Sequence, residues 1–164
     1  MSADNEAANE VNRYKGIAGW LAFLFIGLAL SSLLLVVGAI NNSLHSGDYA
    51  TLYGNHWLGP FSVIWDVIYF ILFGIGAIFI LKKKLVARKL VIHSLWTFAV
   101  INVFLVNAQM IDANNAVAVG TITKAAADSW TSSVGSDAGR AILAALIWIP
   151  YLRRSKRVRF TLIN

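Results

Sequence analysis

Asp66 and Arg140 each place a charge inside an apolar run, Asp66 within residues 60–81 and Arg140 within residues 134–152. Each lies about six residues into its run, which is ~9 Å at ~1.5 Å of rise per residue. A charge held in a membrane costs at least ~2.5–3.5 kcal/mol on insertion scales, and pairing is the usual way to lower that cost. With both runs starting on one side, the matched depths allow three arrangements. Asp66 and Arg140 form a structural salt bridge; they build a polar site for a substrate or ion; or Arg140 pairs with Asp137, one turn away, and leaves Asp66 protonated.

The run at 90–111 is the most polar of the first three and adds His93, Asn102, Asn107 and Gln109. At 100° per residue Asn102 and Gln109 share a helix face and Asn107 does not. Interhelical hydrogen bonding is their simplest role, and a water-lined path the sharper one. His93, close to a basic cluster, reads as a neutral structural histidine rather than a proton relay. Between the first two runs His45, Asp48 and His56 offer donor types for zinc or acid–base chemistry. Their spacing matches no ligand pattern, and Tyr49, Tyr53 and Trp57 beside them fit an interfacial loop. The sequence has no cysteine, which excludes disulfides, thiolate metal sites and cysteine-linked lipids. Phosphate-loop, metalloprotease and nucleophile-elbow motifs are also missing from it. No cofactor is expected.

The elements that must position these groups are four apolar runs, at about 17–40, 60–81, 90–111 and 134–152. The chain is 164 residues long with 58% hydrophobic and 13% charged residues, against roughly a quarter charged in an average soluble domain. Each run suffices to cross a hydrocarbon core ~30 Å thick, and a crossing segment must satisfy its own backbone, so helices are the economical solution. The fold class expected is all-α: a polytopic membrane protein with an antiparallel bundle of four transmembrane helices. Pro60 suits a first helical turn, and residues 125–130 suit a short surface helix in the second external loop. Residues 1–15 read as a flexible tail and 153–164 as a basic one.

All but Lys124 and Arg140 of the 14 lysines and arginines precede the first run, join the second to the third, or follow the fourth. The positive-inside rule therefore places both termini in the cytoplasm. A net charge of +6 arranged in this way reads as membrane topology, and no nucleic-acid partner is expected. Trp20, Trp148 and Tyr151 fall at span ends, where amphipathic rings favour the headgroup level. Together with Arg153, Arg154, Lys156 and Arg157 they are the candidate contacts for anionic lipid or a partner protein. Gly16 and Gly19 are expected on one face of the first turn of helix one, and Pro150 is expected to kink or loosen the last turn of helix four.

Two segments carry a resemblance. Tyr14-Lys15-Gly16-Ile17-Ala18-Gly19-Trp20-Leu21 resembles the Y-x-G-I-x-G-W-L opening of DUF2569, a bacterial family of integral membrane proteins of unknown function. Ile147-Trp148-Ile149-Pro150-Tyr151-Leu152, followed by Ser155-Lys156-Arg157-Val158, is similar to that family's W-I-P-Y-x-x-x-S-x-R-V ending. A shared arginine about eight residues before the tryptophan would be Arg140. The resemblance implies four helices across essentially the whole chain, in a bacterial cytoplasmic membrane, and brings no activity with it.

Three functional classes follow. The leading expectation is a non-enzymatic accessory or assembly subunit of a larger membrane complex. The alternative is a small transporter or channel, monomeric or homo-oligomeric, with a polar site around Asp66 and Arg140. The third is an enzyme or metal-binding protein acting at the outer face through His45 and His56.

Overall fold

The computed structural model describes residues 17, 19–44 and 57–162. Among them there is no strand. Five helices follow one another among the described residues: α1 (Trp20–Leu44), α2 (Leu58–Leu81), α3 (Val86–Ala118), α4 (Lys124–Arg154) and the short α5 (Lys156–Thr161). Three are long and apolar enough to cross a membrane, at Trp20–Gly38, Leu58–Leu81 and Val86–Ala118. α4 is of similar length, but Lys124, Asp128, Asp137 and Arg140 make its first half polar, and continuous apolar sequence begins only at Ala141.

Local chemistry explains the boundaries. Gly19 has φ +57°, a left-handed turn that favours glycine, and the first helix starts at the next residue. Gly19 thus steers the chain into α1 instead of lying on its face as expected; Gly16 is outside the described residues. Pro60 is in the first turn of α2, where its missing N–H costs nothing. α2 ends at Lys82-Lys83-Lys84, with Lys83 at φ +54° and the amides of Lys82, Lys83 and Lys84 bonded back to the carbonyls of Ile78, Ile80 and Phe79. These bonds satisfy carbonyls that a helix end otherwise leaves bare.

The expected second external loop is mostly helix. α3 runs on to Ala118, Thr123 caps α4 by accepting from the Ala126 amide at 3.3 Å, and residues 125–130 are the opening turns of α4. α4 continues through Pro150 to Arg154. Ser155 then closes α4 and caps α5, its hydroxyl accepting from the Val158 amide at 3.5 Å. The expected C-terminal tail is therefore structured, with Val158 and Leu162 fully buried. The expected tail at 1–15 lies outside the described residues.

Packing joins α1 to α2, α3 to α4, and the two hairpins through α2 and α3. The main core draws Leu21, Leu24 and Leu28 from α1, Tyr69, Phe73, Ala77 and Ile80 from α2, Ala87, Val91, Leu95 and Ala99 from α3, and Ile149 and Leu152 from α4. Apart from Tyr69, at the middle of α2, these lie toward the end that carries the Lys82–Lys84 turn and the Arg153–Arg159 segment, the basic end. There Gly76 meets α3 so closely that a Cβ on it would stand 2.9 Å from Val91 Cγ2. Aromatic rings recur every four residues on α2, from Trp57 through Phe61, Trp65 and Tyr69 to Phe73, with successive centroids 5.4–5.8 Å apart. Phe98 of α3 closes on this ladder, 4.7 Å from Tyr69.

Candidate functional site

At the far end the interior holds small side chains such as Ala113, Ala116, Ala127 and Ala138, and the hairpins leave a polar chamber of about 200 Å³. α2 contributes Gly59 and Ser62, α3 contributes Gln109, and α4 contributes Trp130, Ser133 and Asp137. Such a volume holds several waters, each occupying roughly 30 Å³ of liquid. The Ser62 hydroxyl donates to the Gly59 carbonyl at 2.8 Å. The Gln109 Oε1 is buried without a hydrogen-bond partner, as is Nε1 of Trp65, one turn along α2 from Ser62. A buried acceptor left unpaired costs ~1–3 kcal/mol, and Gln109 is the lining residue that bears it.

The charged candidates separate. Arg140 pairs with Asp137 at 3.2 Å, and both side chains are largely exposed, 79% and 60%. Asp66 faces α1: its Oδ2 lies 3.8 Å from where a Cβ on Gly38 would stand. The Asp66–Arg140 bridge expected from matched depth is therefore replaced by two separate arrangements. Depth along two helices does not fix azimuth, and Asp137 is already on the same face of α4, one turn from Arg140.

The amides separate as well. Asn102 donates to the Phe98 carbonyl at 2.9 Å and Asn107 to the Val103 carbonyl at 2.8 Å. Both side chains bond within α3, and of the two residues expected to share a face only Gln109 reaches the chamber. His93 is exposed, at the basic end. His45 and His56 lie outside the described residues. Among the described residues no group of three or more His, Cys, Asp or Glu is placed to hold a metal ion.

The terminal candidates do come together. The Trp20 and Trp148 rings are edge to face with centroids 6.0 Å apart, Phe23 stacks on Trp148 at 6.3 Å, and Tyr151 lies 5.8 Å from Trp148. Arg153, Arg154 and Lys156 are exposed, and Arg157 is half-buried. Sequence reasoning passed over Ser62 and Ser133, residue types too common to stand out. It also passed over Gly135-Ser136-Asp137-Ala138-Gly139, a small-x-x-x-small pattern that was legible. Among the described residues neither glycine has an atom within 4 Å of where its Cβ would stand, so the packing of the described helices leaves this face unused.

A family model described as "Protein of unknown function (DUF2569)" matches residues 14–163. No curated protein and no solved structure matches the chain.

Proposed function

The chain belongs to the DUF2569 family, and from that premise we propose that it is a non-enzymatic, multi-pass protein of the bacterial cytoplasmic membrane that serves as an accessory or assembly subunit of a larger membrane complex. In this reading α4 is the fourth crossing and both termini are cytoplasmic. Its apolar half runs beside α3, with Ala141, Ala145 and Ile149 buried, and it brings Arg153 and Arg154 to the same end as Lys82–Lys84.

The observation that carries the subunit role is the open Gly135–Gly139 face. Glycine in a helix interior costs about 1 kcal/mol relative to alanine. Small residues repay that cost in membranes by letting another helix approach closely, and no described helix of this chain does so here. Gly27, exposed on α1 with open space around it, extends the same argument to the other hairpin.

The test is native purification in mild detergent with partner identification. A partner protein at fixed stoichiometry, lost on Gly139→Ile, is the expected result; a chain that purifies alone overturns the reading. The alternative, a small transporter, draws on the chamber around Gln109, and a homogeneous oligomer that moves a polar solute after reconstitution would favour it. The outer-face enzyme or metal reading through His45 and His56 would require a bound zinc signal lost when both are replaced.

A further inference from the structure

A groove of about 430 Å³ runs between α3 and α4 toward the basic end, walled by Trp96, Val100, Val103, Ile142, Leu146 and Pro150. Its floor is made by Ala99, Ala145 and Ile149, each under 10% exposed. Small residues where the helices touch leave a trough between larger flanking side chains. The trough ends at Arg153, and Arg153 also borders a second cleft of about 490 Å³ formed with Leu85, Arg88, Lys89, Ile92 and His93. The Arg88 guanidinium donates to the Arg153 carbonyl at 3.1 Å, which fixes the junction of the two spaces. Among the described residues no carboxylate lines either one.

The two spaces form one stripe. On α3 the residues facing them are 85, 88, 89, 92, 93, 96, 99, 100 and 103, and on α4 they are 142, 145, 146, 149, 150 and 153. Both series follow the three-and-four spacing of a single helix face. From Ile92 to Val103, and from Ile142 to Arg153, the rise is ~16 Å at ~1.5 Å per residue. One leaflet of a hydrocarbon core ~30 Å thick is ~15 Å.

We propose that this stripe is a binding site for one diacyl phospholipid with an anionic headgroup, its acyl chain in the α3–α4 groove and its phosphate between Arg88, Lys89 and Arg153. Charge selects the occupant. A neutral surface would accept any lipid, whereas three cationic side chains and His93 at the mouth of an apolar trough one leaflet long match a molecule negative at one end and hydrocarbon at the other. The site rests on α3 and α4 lying side by side in the bilayer and is independent of the accessory-subunit role.

The test uses the purified full chain in detergent, with native mass spectrometry reading lipid retention for phosphatidylglycerol, phosphatidylcholine of identical chains, and glycerol phosphate. Phosphatidylglycerol is expected to be retained at least tenfold better than phosphatidylcholine, and glycerol phosphate is not expected to be retained. Arg153→Gln and Lys89→Gln, both at exposed positions, should each lower phosphatidylglycerol retention about fivefold, since a basic residue near a membrane surface contributes ~1 kcal/mol. Ile142→Trp, which fills the trough from its open side, should lower retention of both lipids while the elution volume stays unchanged. Equal retention of the two lipids, or phosphatidylglycerol retention unmoved by Arg153→Gln, overturns the site. Retention of glycerol phosphate equal to that of phosphatidylglycerol overturns the lipid in favour of a free anion. A purification in which no partner protein appears would defeat the subunit reading and leave this result standing.

Discussion

Trp20 and Trp148 meet edge to face with ring centroids 6.0 Å apart, although one opens the first helix and the other lies near the end of the fourth. Beneath them Leu21 and Leu152 are completely buried. This contact joins α1 to α4 at the basic end. An aromatic pair contributes ~0.5–1.5 kcal/mol beyond its area. A double-mutant cycle of Trp20→Ala and Trp148→Ala, read by unfolding in mixed micelles, is expected to return a coupling energy in that range; additive effects would show that the rings merely coexist.

Gly76 should not tolerate a methyl group. With a Cβ 2.9 Å from Val91 Cγ2, Gly76→Ala must displace the Val91 side chain or part α2 from α3, and overpacking of this kind costs ~1–3 kcal/mol. Adding Val91→Ala to the same chain should restore part of the loss. The midpoint of thermal unfolding in detergent measures both.

Arg140 offers a sharper contrast. Its partner is Asp137, and the pair is mostly exposed, so Arg140→Ala should cost no more than ~1 kcal/mol. Asp66→Asn should give no rescue, because Asp66 faces Gly38 of α1. Rescue would restore the pairing across the bundle that matched depth suggests.

Gln109 lines the chamber, and its Oε1 is buried without a partner. Gln109→Leu removes that acceptor and should raise stability by ~1 kcal/mol or more. A fall in the unfolding midpoint would instead indicate that a bound water or solute already satisfies the amide.

The absence of cysteine in the sequence makes topology direct to map. Single cysteines at Thr121, in the α3–α4 connection, and at Arg159, in α5, should behave oppositely toward an impermeant maleimide. Labelling of intact cells is expected at 121, and at 159 only after permeabilisation. The reverse pattern would invert the orientation.

The helices were readable because long apolar runs cannot be satisfied another way in a bilayer. Their ends were less so: α3 continues past Ile111 to Ala118 because Ala113 and Ala116 pack inward, and polar flanking sequence conceals such burial. Gln109 was legible as an amide on a membrane helix, but its surroundings depend on how the hairpins are rotated. Asp66 and Arg140 show the same limit. Hydropathy fixes how deep a residue lies and is silent about which neighbour it faces. Trp20 and Trp148 were recognisable as interfacial rings, while their contact required the tertiary structure.

Much of the core, Leu21, Ile80, Val91 and Leu152 among it, gathers at one end of the molecule, and toward the other end buried alanines, with Leu58, sit beside a chamber. Protection from local opening follows buried apolar contact, so hydrogen exchange should slow steadily along the helices toward the lysine turn. The fold resembles a clothes-peg whose spring is the basic end. On that expectation, whatever meets the protein from the far side encounters helices that exchange sooner than those at the spring.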